Sequence, residues 1–236
     1  MNLKKLILIP LLFLASYFRA FADGTKDDVE VQYRYQFGAD LQFKLIKNLK
    51  LNVEPELRFN DGYDKFHLNG GLTYKTFGCI YWGATYRLVV DRVESSSSFY
   101  SNSLSLFGGF NSNNYESDVY HRYAFDATFK EKYGRFTPSF RVRYNNFTDE
   151  DISSKEFLRY KAKVDYDIRK CKITPFVSAE AFQQLGINML YKMRYSTGFD
   201  LKTGKDSSLS FDYRFDFFNL EYKNANIFSV GYKHKF

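Results

Sequence analysis

Proline (4 residues), methionine (3), cysteine (2) and tryptophan (1) are all scarce in this chain of 236 residues. Two cysteines cannot staple a small secreted scaffold, so a disulfide-rich miniprotein is excluded. Past the N-terminus no apolar run approaches the roughly 18 residues a membrane helix needs, which excludes a helical membrane protein. What is abundant is phenylalanine (26) and tyrosine (20): aromatic residues make 20% of the chain, beside 44% hydrophobic and 26% charged. That much apolar bulk excludes a disordered chain, and the length suits one large domain or two small ones.

Residues 1–22 read as a cleaved export signal. Lys4 and Lys5 form a basic start, Leu6 to Ala15 an apolar core, and Ala20-Phe21-Ala22 a small-residue cleavage site before Asp23. Of the 34 basic residues, Lys4, Lys5 and Arg19 leave with it, so 31 face 27 acidic ones in residues 23–236. An excess this mild in an exported chain gives no ground for a nucleic-acid partner.

The remainder repeats with a period of two. Phe136, Pro138, Phe140, Val142 and Tyr144 alternate with Arg135, Thr137, Ser139, Arg141 and Arg143; Leu158 to Asp167, Leu190 to Leu201 and Leu209 to Phe217 do the same. Successive strand residues point to opposite faces, so each segment has an apolar face and a charged one, and the expected fold is all-β. Such segments recur around 37–46, 50–60, 65–76, 79–90, 117–130, 135–146, 156–167, 172–184, 189–201, 207–218 and 226–236. Many span about 10 to 13 residues, as strands crossing a bilayer do, whereas strands of a soluble sandwich run shorter.

Short links (47–49, 77–78, 131–134, 168–171, 203–206) take turns with longer polar ones (61–64, 91–116, 147–155, 184–188, 219–224), as in an up-and-down outer-membrane barrel with tight periplasmic turns. A chain that starts and ends in the periplasm needs an even strand count. The unbroken alternation over 29–45 is therefore split by a hairpin near Gln36–Asp40, giving about 12 strands; one long edge strand with another closure competes. The inward set carries the charges and the outward set none, with His121 and His234 as its ionisable exceptions. That exclusion is what lipid exposure imposes, since a charge at mid-bilayer costs about 2–4 kcal/mol. Tyr74, Trp82, Tyr144, Tyr166, Tyr191, Tyr213 and Phe236 suit interfacial aromatic girdles. In the last segment, Phe228, Val230, Tyr232 and terminal Phe236 form the alternate apolar pattern of an assembly signal.

Several of these motifs point to one group. The R-Y-x-F at Arg122, F-R-V-R-Y at 140–144, F-L-R-Y-K at 157–161, I-T-P-F-V-S-A-E-A-F at 173–182, M-R-Y-S-T-G at 193–198, D-Y-R-F-D at 212–216 and N-I-F-S-V-G-Y-K-H-K-F at 226–236 resemble the Bacteroidota outer-membrane barrels grouped as domain of unknown function 2490. The resemblance covers about residues 37–236 and implies a fold and a location, with no activity and no site residues.

Catalytic chemistry is thin. Cys79 and Cys171 fall on turns about four strands apart, roughly 20 Å and far past the 7 Å reach of a disulfide. His67 faces inward near Asp61 and Asp64, a pairing able in principle to activate a water, though a histidine in a polar network is the commoner case. No Cys/His cluster has metal spacing, and Asp149-Glu150-Asp151 reads as a solvated turn rather than a Ca²⁺ loop. No catalytic residue, metal or cofactor is therefore assigned. The remaining signal is charge: a basic wall of Arg141, Arg143, Arg159, Lys161 and Lys163, with Glu54, Glu56, Asp212 and Asp216 as opposing acids. The reading is a monomeric outer-membrane barrel, residues 23–236 as one domain, surrounded by lipid and delivered by the barrel assembly machinery. Its bore is a narrow, net-basic pore or transport path for a small anionic solute. A closed structural or assembly barrel is the alternative, and an outer-membrane hydrolase comes third.

Overall fold

The computed structural model describes residues 31–60, 63–76, 78–94, 115–148, 156–186, 189–219 and 224–236. The signal at 1–22, Asp61, most of 91–116 and Asp149–Asp151 lie outside the described residues. Eleven strands close into one barrel: β1 (Gln32–Ile46), β2 (Leu49–Asn60), β3 (Tyr63–Lys75), β4 (Ile80–Glu94), β5 (Tyr115–Lys130), β6 (Phe136–Thr148), β7 (Glu156–Tyr166), β8 (Ile173–Gln184), β9 (Met189–Lys202), β10 (Ser207–Phe218) and β11 (Ala225–Lys235). Each pairs antiparallel with its chain neighbour, and β1 closes the ring on β11 in parallel.

The barrel was legible and its strand count was one too high. The expected hairpin at Gln36–Asp40 does not form: β1 runs unbroken, pairing from Gln32↔Ala225 to Gln42↔Lys235 on one edge and with β2 on the other. The alternation there contains a single glycine, Gly38, and no turn pair, so nothing interrupts the strand. An even count assumes that both ends of the sheet share a rim. Here β1 starts at one rim and Phe236 sits at the other. We call these the loop rim, which carries 95–114, and the turn rim. Loop length separates them less sharply than the sequence suggested: residues 61–62 and 185–188 on the loop rim are as short as the turns opposite.

Cross-strand partners share a face, so the register sorts every side chain. Pairs such as Asn69↔Arg87, Arg87↔Arg122, Arg141↔Lys161, Lys161↔Glu180 and Glu180↔Arg194 put the charged residues in the bore. The exposed large hydrophobic residues on the strands, among them Phe37, Leu57, Leu72, Trp82, Phe125, Phe140, Val177 and Tyr232, all face outward. This is a soluble protein's pattern turned inside out, with apolar side chains outermost and charges within. Glu156 departs from the expected charge-free exterior. It shares the outward face at the loop rim, where the Tyr144 hydroxyl donates to it at 2.9 Å.

The seam is stapled outside by aromatic rings. Phe228 of β11 stacks on Tyr35 (5.9 Å between centroids) and tilts against Tyr213 (5.4 Å), while Phe236 stacks on Phe43 at 4.6 Å. The backbone N–H of Phe236 also donates to Gln42 O at 2.8 Å. Residues set apart in the sequence as a terminal signal thus hold the parallel closure together. Removing the last ring, Phe236→Ala, is expected to lower the temperature at which the folded band collapses in a heat-modifiable gel shift, as truncating a half-exposed aromatic would.

Candidate functional site: the charged bore

All eleven buried residues among those described face the bore, and all lie in its loop-rim half. Next to that rim, Lys65 and Tyr120 both bind the Asp91 carboxylate, the tyrosine at 2.9 Å. Val89, Phe157, Phe182, Ala225 and Ile227 are the buried apolar residues among those described and lie in the same half. Toward the turn rim, inward positions open up: Lys44, Lys50, Lys130, Lys202 and Lys235 are exposed.

Between these lies a space of about 290 Å³. Strands β2, β4 and β5 contribute Arg58, Arg87 and Arg122; β6 and β7 contribute Arg141, Arg143, Arg159 and Lys161; β9 and β10 contribute Lys192, Arg194 and Arg214. Glu56 and Glu180 are the lining acids among the described residues. The basic wall is continuous across β6 and β7 through the pairs Arg141↔Lys161 and Arg143↔Arg159. It is one arc of a ring of cations rather than a face set against acids.

The four expected opposing acids do not answer that wall. Glu56 binds Arg58 two residues along its own strand. Asp212 takes Arg214 at 2.5 Å, again on the same strand. Asp216, fully buried, receives Arg194 Nε at 2.5 Å, Arg194 Nη2 at 2.7 Å and Lys192 Nζ at 2.8 Å from the next strand. Glu54 accepts from Asn69 at 3.3 Å. Apart from Lys161, the wall is bound by acids that the sequence does not set opposite it. Glu180 accepts from Arg159 at 3.1 and 2.8 Å and lies 3.5 Å from Arg141; Asp126 accepts a fork from Arg143 at 3.0 and 2.6 Å; Asp165 takes Lys163 at 2.8 Å. Neighbouring strands are about 5 Å apart, much closer than the far side of the bore, and Coulomb attraction falls with distance, so local pairs win.

Packing adds to this. Phe182 carries Arg159 at 4.4 Å, Lys192 at 4.5 Å and Arg194 at 5.5 Å over its ring, a cation–π cluster that no sequence motif announced. His67 is 1% exposed with Arg87 Nη1 at 3.4 Å from its Nδ1; the side chains of Asp61 and Asp64 expected beside it lie outside the described residues. Outside the barrel, His121 meets the Tyr86 hydroxyl at 2.6 Å and His234 meets Ser207 Oγ at 2.8 Å. Cys79 and Cys171 are free thiols. Among the described residues no three His, Cys, Asp or Glu side chains gather as a metal site would require.

On the turn rim, a hydrogen bond from Lys132 at 3.1 Å holds the Asp167 carboxyl below its ordinary value. The bond Tyr133 donates to Glu131 at 2.6 Å raises the Tyr133 phenol. A depressed carboxyl adds stability that is present above its unfolded value and lost as pH falls through the folded one. Both side chains of the Lys132–Asp167 pair are at least half exposed, so solvent screens that gain. Asp167→Asn is expected to leave the acid limb of an unfolding-versus-pH curve unchanged.

The sequence from residue 35 to 226 matches the family described as a protein of unknown function (DUF2490). The chain belongs to that family. No curated protein matches it. For this DUF2490 protein the matched span starts within β1 and ends at the second residue of β11, so it takes in all of the lining cations.

Proposed function

We propose that this DUF2490 protein is an exported outer-membrane barrel whose bore is a narrow, anion-preferring path. One observation carries the reading: an apolar exterior wraps an interior whose central space is lined by ten cations and two acids among the described residues. Strands of 11 to 16 residues are long enough to cross a bilayer at a tilt. A low-dielectric wall around like charges focuses the field and raises the local concentration of counter-ions. The short turns face the periplasm in this reading, the assembly machinery receives the C-terminal strand, and no catalytic step is assigned.

Planar-bilayer recording of the purified protein tests it. Expected are small conductance steps and a reversal potential displaced toward the anion in a salt gradient, reduced or inverted in Arg141→Glu/Arg143→Glu. The second reading, a closed structural barrel, is favoured by the buried side chains in the loop-rim half. A flat trace from protein that still shows heat-modifiable folding would select it. Orientation has its own check in Cys171, which is exposed on the turn rim. A membrane-impermeant maleimide should label it in broken cells and leave it unlabelled in intact ones.

A further inference from the structure

The geometry points to a binding site for a small multivalent oxyanion of the phosphate type, seated in the central space and entered from the turn rim. It rests on the cationic bore of the reading above, though not on conduction. Three observations converge.

The first is an excess of charge that the local pairs do not absorb. Arg143, Arg159, Arg194 and Arg214 each hold a carboxylate. Arg87 instead donates to the amide oxygen of Asn69 and lies beside His67, and no carboxylate among the described residues is hydrogen-bonded to Lys161. Both line the same space. Glu180, the cross-strand neighbour of Lys161, already accepts from Arg159 and lies near Arg141, so one carboxylate serves three cations, and a bound anion offsets the excess.

The second is shape. About 290 Å³ is at the lower edge of small-molecule sites, roughly 300–1,000 Å³, and close to the share of ten waters. Guanidinium groups approach from β2, β4, β5 and β6, and their planar forks match the oxygens of a tetrahedral oxyanion in a way that a halide cannot use. The third is access. Buried side chains, Val89 and Ile227 among them at 0% and 1% exposure, lie in the loop-rim half, while Lys44, Lys50, Lys130, Lys202 and Lys235 stand exposed at the opposite mouth. A lysine-lined mouth leads to an arginine-lined chamber.

Calorimetric titration of inorganic phosphate into the folded protein in neutral detergent, at low salt and with chloride as control, tests the site. Saturable binding of one phosphate per chain is expected, weakened at least about tenfold, or 1.4 kcal/mol, in Arg87→Gln/Lys161→Gln. Neither residue is hydrogen-bonded to a carboxylate among the described residues, so this variant should fold and melt no lower than the parent without phosphate, while losing the rise in melting temperature that phosphate gives the parent. Absence of saturable heat up to about 10 mM phosphate in folded parent protein, or equal binding by the variant, overturns the proposal. A barrel that conducts without binding phosphate keeps the pore reading and loses this one; a barrel that binds without conducting does the reverse.

Discussion

Asp216→Ala is expected to cost about 3–5 kcal/mol of folding free energy, read as a lower urea midpoint for unfolding in detergent or loss of the folded band on a gel. The carboxylate is fully buried and holds Lys192 and Arg194 together; without it two cations remain close to each other above the Phe182 ring with no hydrogen-bonded carboxylate. The cost comes from stranding the partners, so removing them should restore stability: Asp216→Leu/Lys192→Met/Arg194→Met is expected near the parent value. Asp212→Ala is a graded control. Its partner Arg214 also donates to Gln36 at 2.7 Å and Ser229 at 3.2 Å, so the guanidinium stays bonded and the loss should be clearly smaller. If the single and triple changes at Asp216 behave alike, charge pairing is not what organises the bore.

Gly198→Ala should damage the barrel through the backbone rather than through charge. A Cβ at Gly198 would lie 2.8 Å from Cα of Asp212 and still nearer the carbonyl oxygen of Phe211, both on β10. Main chain cannot swing aside as a side chain can, so β9 and β10 must separate. Strand glycines mark such close approaches, and overpacking of this kind costs about 1–3 kcal/mol or more. Gly70 on β3 supplies the contrast: a Cβ there meets nothing within 4 Å, so Gly70→Ala should be neutral or gain up to about 1 kcal/mol from the stiffer unfolded chain. Equal folded yields of the two variants in the heat-modifiable assay would refute the close approach.

These two positions also mark how far the sequence could be read. Period-two alternation fixes a residue's face, and every charged residue placed in the bore from pattern alone, from Glu54 to Asp216, is inward by register. Alternation says nothing about height along a strand or about which strand lies alongside. Glu180 is therefore visible as an inward acid but invisible as the partner of Arg159, since 21 residues separate them and only register joins them. The same limit hid the spread of lining cations from β2 to β10, because charge was read strand by strand instead of around a ring. The strand count failed for a different reason. Evenness was assumed of the barrel, whereas the residues of 29–45 themselves, lacking any turn pair, already described one long strand.

The parallel seam also separates the two ends of the sheet. Ten strands can be grouped as five antiparallel hairpins, and the eleventh has no such companion; it joins the ring only when β1 meets β11. Because these two strands point the same way, a reporter fused behind Phe236 and another inserted at the start of β1 would sit at opposite rims, and the completed ring offers no free edge for a second chain to extend.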